Sequence, residues 1–144
     1  MRSGITLPEL IVVLAIIGLL TAIAVPSSRN LLAGIETERA AYHLISAHRI
    51  ARFTAIMRGR STRLDIAPES LVVRVVGGTG AGVVWRTPGP AAEGVALEGP
   101  TYPLTFTPFG LPHGLGNGTY TFSRGAARRS VVISRLGRLR LVRD

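Results

Sequence analysis

Gly4-Ile5-Thr6-Leu7-Pro8-Glu9-Leu10 leads into an apolar run that reaches Val25, with no charge anywhere from Leu10 to Val25. Ile5 to Val25 is 21 residues. As a helix that is about 30 Å, the thickness of a bilayer's hydrocarbon core. One reading is a secretory signal peptide, with Arg2 as its charged start and Ala22-Ile23-Ala24 as its exit. Another is a plain single-span anchor. Neither explains Glu9. A carboxylate at the head of an apolar span is costly unless something pairs with it, so Glu9 asks for a partner.

The rest of the chain bounds the answer. Its 144 residues make one modest domain. Hydrophobic residues are 47% of the total, and the net charge is +9. Mean hydropathy is +0.35, which excludes disorder over the whole chain. The absence of cysteine excludes a disulfide scaffold and a thiolate metal site. All 17 basic residues are arginine. Together these describe a small membrane-anchored domain with a basic surface.

The helix should resume after Pro26. Glu36 to Arg58 holds no Gly or Pro, and Ala40, Leu44, Ala47, Ala51 and Ala55 mark one apolar face. Small residues there suit close packing on a sheet, and Gly59 is a natural stop. Arg49, Arg52, Arg58, Arg60 and Arg63 fall in a stretch with no acid between Glu38 and Asp65. They read as a solvated helix face and its exit loop. Beyond Gly59, short β-type runs alternate with Gly and Pro clusters. The expected strands are Thr62–Ile66, Leu71–Val76, Val83–Arg86, Val95–Glu98, Leu104–Phe106, Thr119–Ser123, Ser130–Ser134 and Arg138–Val142. Gly77–Gly82, Thr87–Glu93 and Pro108–Gly118 read as irregular loops. The fold class is α+β: one long N-terminal helix, half in membrane and half packed on an antiparallel β-domain. There is no internal repeat, and no independent second domain is expected.

Residues 4–10 resemble the class III signal of type IV pilins and type II secretion pseudopilins. That resemblance implies a prepilin peptidase cut between Gly4 and Ile5 and N-methylation of Ile5. It implies an assembly glutamate at Glu9 and a helix-kinking proline at Pro26. Ile5 replaces the usual Phe or Met, and Pro8 replaces a commoner aliphatic residue, in a first turn that tolerates it. Ala51-Arg52-Phe53-Thr54-Ala55-Ile56-Met57-Arg58-Gly59 is similar to the helix end of GspH/FimT-type minor pseudopilins. So are Phe106-Thr107-Pro108-Phe109-Gly110 and the run from Val131 to Arg140, whereas Gly77 to Pro100 matches nothing in that family. The implied organisation is a leader (1–4), an assembly helix in the inner membrane (5–25), its amphipathic continuation (26–59) and a periplasmic β-domain (60–144) with a basic C-terminal tail (135–144). In a fibre, Glu9 of one subunit would pair with the freed amine of its neighbour.

No catalytic set stands out. His43 and His48 lie five apart, on different helical faces, and His113 sits in a Pro/Gly loop. Asp65 and Glu69 flank Pro68 and read as loop solvation. Gly77 to Gly82 lacks the lysine and following helix of a phosphate cradle. Asn117-Gly118-Thr119 fits a glycosylation sequon, but Asn-Gly is first a hairpin turn. The chain is therefore expected to be non-enzymatic, with no metal and no cofactor.

Charge gathers at the end. Ile5 to Ser123 carries nine Arg and seven acids, whereas Arg124 to Asp144 carries seven Arg and one acid. In an extended strand, Arg138 and Arg140 share one face while Leu139 and Leu141 take the other. Gly137 allows a bend just before them. An edge strand protected by charge, attraction to anionic lipid and nucleic-acid binding all fit this pattern. The resemblance favours the last, since FimT-type members bind DNA through a C-terminal Gly-Arg-x-Arg segment, here Gly137-Arg138-Leu139-Arg140. Arg135 and Arg143 flank it. There is little aromatic interleaving, so base stacking is not evident. The expected function is a minor pilin that joins or primes a pilus-like fibre with other pilins and binds DNA without sequence preference. The alternative is a minor pseudopilin of type II secretion with no DNA role.

Overall fold

The structure, a computed structural model, describes residues 6–143, without the side chains of residues 23–27. The expected cut and methylation at Gly4 and Ile5 lie outside the described residues, as does the side chain of Pro26. The chain divides into two units, Met1–Leu32 and Ala33–Asp144.

In the first unit, helix α1 (Leu7–Arg58) begins. Thr6 caps it: Leu10 N–H donates to the Thr6 carbonyl at 3.2 Å, and Thr6 N–H donates to Glu9 Oε2 at 3.5 Å. That is one half of a capping box, at long range. Leu7, Leu10, Ile11, Val12, Val13, Leu14, Ile16, Ile17, Leu19 and Leu20 are all exposed, so from Leu10 to Leu20 the helix is apolar all round. Among the described residues no helix is long and apolar enough to cross a membrane. Where the sequence reading has the helix resume after Pro26, α1 passes through that residue without a break. The proline costs one helical hydrogen bond and crowds one carbonyl, and the helix continues on both sides of it.

The second unit holds the rest of α1 and two antiparallel sheets. The strands are β1 (Thr62–Ile66), β2 (Ser70–Val75), β3 (Gly82–Pro88), β4 (Ala96–Glu98), β5 (Leu104–Phe106), β6 (Pro112–His113), β7 (Gly118–Arg124), β8 (Ala127–Ile133) and β9 (Leu139–Arg143). One sheet runs β3-β2-β1-β5-β6 and the other β4-β7-β8-β9. The core lies between α1 and both sheets. Ala40, Ala41, Leu44, Ala47, Ala51 and Ala55 of α1 form one buried cluster with Leu64, Leu71, Val73, Leu104 and Phe106 of the first sheet and with Tyr120, Phe122, Val131 and Ile133 of the second. The alanines let the helix lie close to both. α1 stops in a Schellman motif: Arg60 N–H donates to the Ala55 carbonyl and Gly59 N–H to that of Ile56, with Gly59 left-handed at φ 58°.

Strand positions agree with the sequence reading to within a residue or three at each end. Three local expectations are corrected. Thr87–Glu93 is not an irregular loop, because β3 runs on to Pro88 and Pro90–Glu93 forms a 3-10 turn closed by left-handed Gly94. Pro108–Gly118 contains the short strand β6, paired to β5 through Phe106↔Pro112 and Thr105↔His113. Asn117-Gly118 is no hairpin turn, because Gly118 opens β7. Its glycine serves close packing instead: a Cβ there would meet Pro100 Cγ at 2.6 Å.

Candidate nucleic-acid interface at the C-terminal hairpin

β8 and β9 are joined by a five-residue connection, Ser134 to Arg138, whose chemistry is explicit. Gly137 N–H donates to the Ser134 carbonyl at 2.8 Å, and Ser134 N–H donates to the Arg138 carbonyl at 2.9 Å. Arg138 N–H also donates to Ser134 Oγ at 3.1 Å. This is the turn-plus-bulge hairpin that needs a left-handed fourth residue, and Gly137 supplies it at φ 74°. A Cβ at Gly137 would also meet Pro112 Cγ at 3.1 Å. Both demands point to glycine.

The loop sets the register Ile133↔Leu139, Val131↔Leu141 and Arg129↔Arg143, and this register divides the C-terminal arginines. Leu139 and Leu141 pack on the core, so Arg143 and Arg129 point to the helix side. Two like charges directly opposite would repel, but Glu38 of α1 lies between them. Its carboxylate is 2.7 Å from Arg143 Nη2 and 3.8 Å from Arg129 Nη2. Arg124, on the same face, reaches Glu36 and the Glu93 carbonyl. These half-exposed pairs each add up to roughly 1 kcal/mol. Arg128, Arg135, Arg138 and Arg140 are exposed, and none has a hydrogen-bond acceptor or carboxylate partner for its side chain among the described residues.

The structure therefore brings Arg135, Arg138 and Arg140 together on the hairpin with Gly137, and holds Arg143 on the other face against Glu38. The sequence reading missed Arg128, which shares the outer face of the sheet with Arg140. Period-two alternation could have found it once the hairpin register was known.

Under the hairpin lies His48, 1% exposed. Its ring meets Phe106 edge-on, centroids 4.9 Å apart, and the space beside Gly137 adjoins its Cε1 at 4.0 Å. Neither ring nitrogen has a partner among the described residues. Burial, then the charges of Arg52 and Arg49, lowers its pKa to about 4. His48 is thus neutral at pH 7 and adds no charge to the hairpin. His43 lines a separate cavity of about 260 Å³ with Arg39 and Glu93. No three His, Asp or Glu side chains among the described residues lie close enough to hold a metal ion. Asp65 pairs with Arg63 and Arg74, at 2.6 and 2.8 Å. The Gly77–Gly82 loop encloses the Arg60 guanidinium, which donates to the Thr79 carbonyl. Glu9 is exposed and, apart from Thr6 N–H, has no partner among the described residues.

Comparison with known proteins bears on the family and the fold. The sequence model of a family described as type II transport protein GspH matches residues 40–137. A prokaryotic N-terminal methylation motif matches residues 1–25. The type IV minor pilin FimU of Pseudomonas aeruginosa is similar in fold, at TM-score 0.61 and 22% identity, over 81% of this chain and 91% of that one. The minor pseudopilin EpsH from the type II secretion system of Vibrio cholerae is similar at TM-score 0.60 and 18% identity, over 75% of this chain and 97% of that one. No curated protein sequence matches this one.

Proposed function

This chain belongs to the GspH family of type II transport proteins, and we propose that it joins or primes a pilus-like fibre and binds DNA through the outer arginines of its C-terminal hairpin. A minor pilin or pseudopilin role, in a type IV pilus or a type II secretion fibre, follows from the family. The finer reading adds a prepilin peptidase cut after Gly4, methylation of Ile5, and Glu9 pairing with a neighbouring subunit's amine. In it, the N-terminal helix sits in the inner membrane with the N-terminus in the cytoplasm and the β-domain in the periplasm. The methylation motif and the helix that is apolar on every side support this placement, as does the lone Arg2 before the span. The protein works by assembly and binding, without catalysis.

One observation carries the DNA reading. Three of the seven C-terminal arginines are engaged by Glu36, Glu38 and the Glu93 carbonyl, and the other four face solvent without a carboxylate. A device meant only to blunt an edge strand has no need of four free forks. Planar guanidinium groups suit phosphate oxygens, to which they donate two parallel hydrogen bonds. The structural pseudopilin reading, without DNA, is favoured by the family description itself and by the likeness to EpsH.

A salt titration separates the two. Arg138→Ala with Arg140→Ala should weaken DNA binding for every sequence tried. It should also flatten the slope of log affinity against log salt by roughly 0.7–0.9 for each phosphate that is no longer neutralised. Unchanged affinity and slope at matched salt would leave the secretion reading.

A further inference from the structure

Two loops of the second unit are built alike, and only one belongs to the hairpin just described. Between β5 and β6, Thr107 N–H donates to the Leu111 carbonyl and Gly110 N–H to the Thr107 carbonyl, both at 2.8 Å. Leu111 N–H donates to Thr107 Oγ1 at 3.3 Å, and Gly110 is left-handed at φ 74°. Each bond has its counterpart in Ser134-Arg135-Leu136-Gly137-Arg138. In both loops the third residue stands out into solvent: Phe109 is 84% exposed and Leu136 66%.

The two loops adjoin: the space beside Gly137 is bounded by Pro112, which follows Leu111. A Cβ at Gly110 would meet Ile56 Cδ1 at 2.6 Å and Arg52 Cγ at 3.3 Å, while one at Gly137 would meet Pro112 Cγ at 3.1 Å and approach His48 Cε1 at 4.0 Å. Both loops thus border the same stretch of α1, Gly137 at His48 and Gly110 at Arg52 and Ile56, four to eight residues or roughly 6–12 Å along its axis. The charge at this corner has one sign. Its segments come from stretches with no acid, Arg39 to Leu64 and Gly99 to Arg143. They bring Arg49, Arg52, Arg135 and Arg138.

We propose that the paired tips form a platform for single-stranded DNA, with Phe109 stacking on an unpaired base while Arg52, Arg135 and Arg138 hold the flanking phosphates. This inference rests on the DNA-binding reading above and sharpens it. An aromatic face stacks on a base only where the base face is open, and in a duplex the neighbouring pair covers it. Every base has such a face, so the stacking is indifferent to sequence. An exposed phenylalanine, with exposed guanidinium groups that lack carboxylate partners among the described residues, is complementary to an unpaired strand, apolar in its bases and anionic in its backbone. The local sequence of the tail gives no sign of stacking, because the aromatic arrives from a different hairpin.

The experiment is a polarisation titration of detergent-solubilised full-length protein at fixed salt. The probes are a fluorescein-labelled oligo-dT and a blunt duplex of equal length. Phe109→Ala should weaken oligo-dT binding about tenfold and leave duplex binding within about twofold. Phe109→Trp should restore the loss, and Arg138→Ala should weaken both probes. Phe109 is exposed, so its removal leaves the core intact. If the wild type binds neither probe, the DNA reading fails and the platform falls with it. If the wild type binds and Phe109→Ala changes both probes equally, or neither, the platform alone is overturned. Loss of Phe109→Ala from fibres with oligo-dT binding unchanged also overturns it, and makes the tip a contact between subunits.

Discussion

Glu9→Gln is expected to reach the membrane in wild-type amounts and to be missing from sheared fibres. The described residues around Glu9 are apolar on every side of the helix, so a fibre that packs such helices together removes this carboxylate from water. An amine freed at Ile5 of a neighbour would compensate it, and breaking such a pair costs on the order of 3–5 kcal/mol. That is enough to exclude a subunit from assembly. Glu9 also accepts the long hydrogen bond from Thr6 N–H, and a lost cap costs about 1 kcal/mol, too little for exclusion. Glutamine separates the two roles, since it can still accept from Thr6 but carries no charge. Immunoblots of membrane and sheared-fibre fractions read the result. Normal incorporation of Glu9→Gln would remove the ion-pair role.

The second large effect is on stability in acid. The His48 pKa falls from 6.5 to about 4 on folding. Between those values the unfolded chain binds a proton on this imidazole that the folded chain refuses, so stability rises with pH across the window. The contribution is complete above about pH 6.5 and is lost as pH drops toward 4. At 1.36 kcal/mol per pKa unit the loss is about 3 kcal/mol. His48→Leu removes the titrating group along with two buried nitrogens that lack partners, each costing roughly 1–3 kcal/mol. Urea denaturation from pH 7 to pH 4 should therefore show the wild type losing about 3 kcal/mol more than His48→Leu. Parallel stability curves would mean that this imidazole does not titrate as its surroundings demand.

Some of this was legible in the residues. The alanine-rich face of α1 and its stop at Gly59 follow from period and from glycine chemistry, both local properties. β1 and β5 fall where the sequence reading puts them, residue for residue, because each is a short run closed on both sides by turn formers, Gly59 and Pro68 for β1 and Pro103 and Pro108 for β5. The two-residue β6 was not visible, since so short a strand has no period of its own and exists through its pairing with β5. Asn117-Gly118 misled because the pressure of Pro100 on Gly118 is a tertiary fact. The alternation Arg138-Leu139-Arg140-Leu141 could be read directly. That Arg143 is held by Glu38, 105 positions away, could not. Phe109 was in plain view within Phe106-Thr107-Pro108-Phe109-Gly110, but its likeness to Leu136 depends on two loops with the same hydrogen bonds. Only the folded chain sets them side by side.

Processing at the N-terminus underlies the whole reading, and the intact mass of the protein isolated from cell membranes tests it most directly. The account predicts a mature chain that begins at Ile5 and carries a single added methyl group. A chain that keeps Met1, or one that begins after Ala24 as a secreted protein, would contradict it.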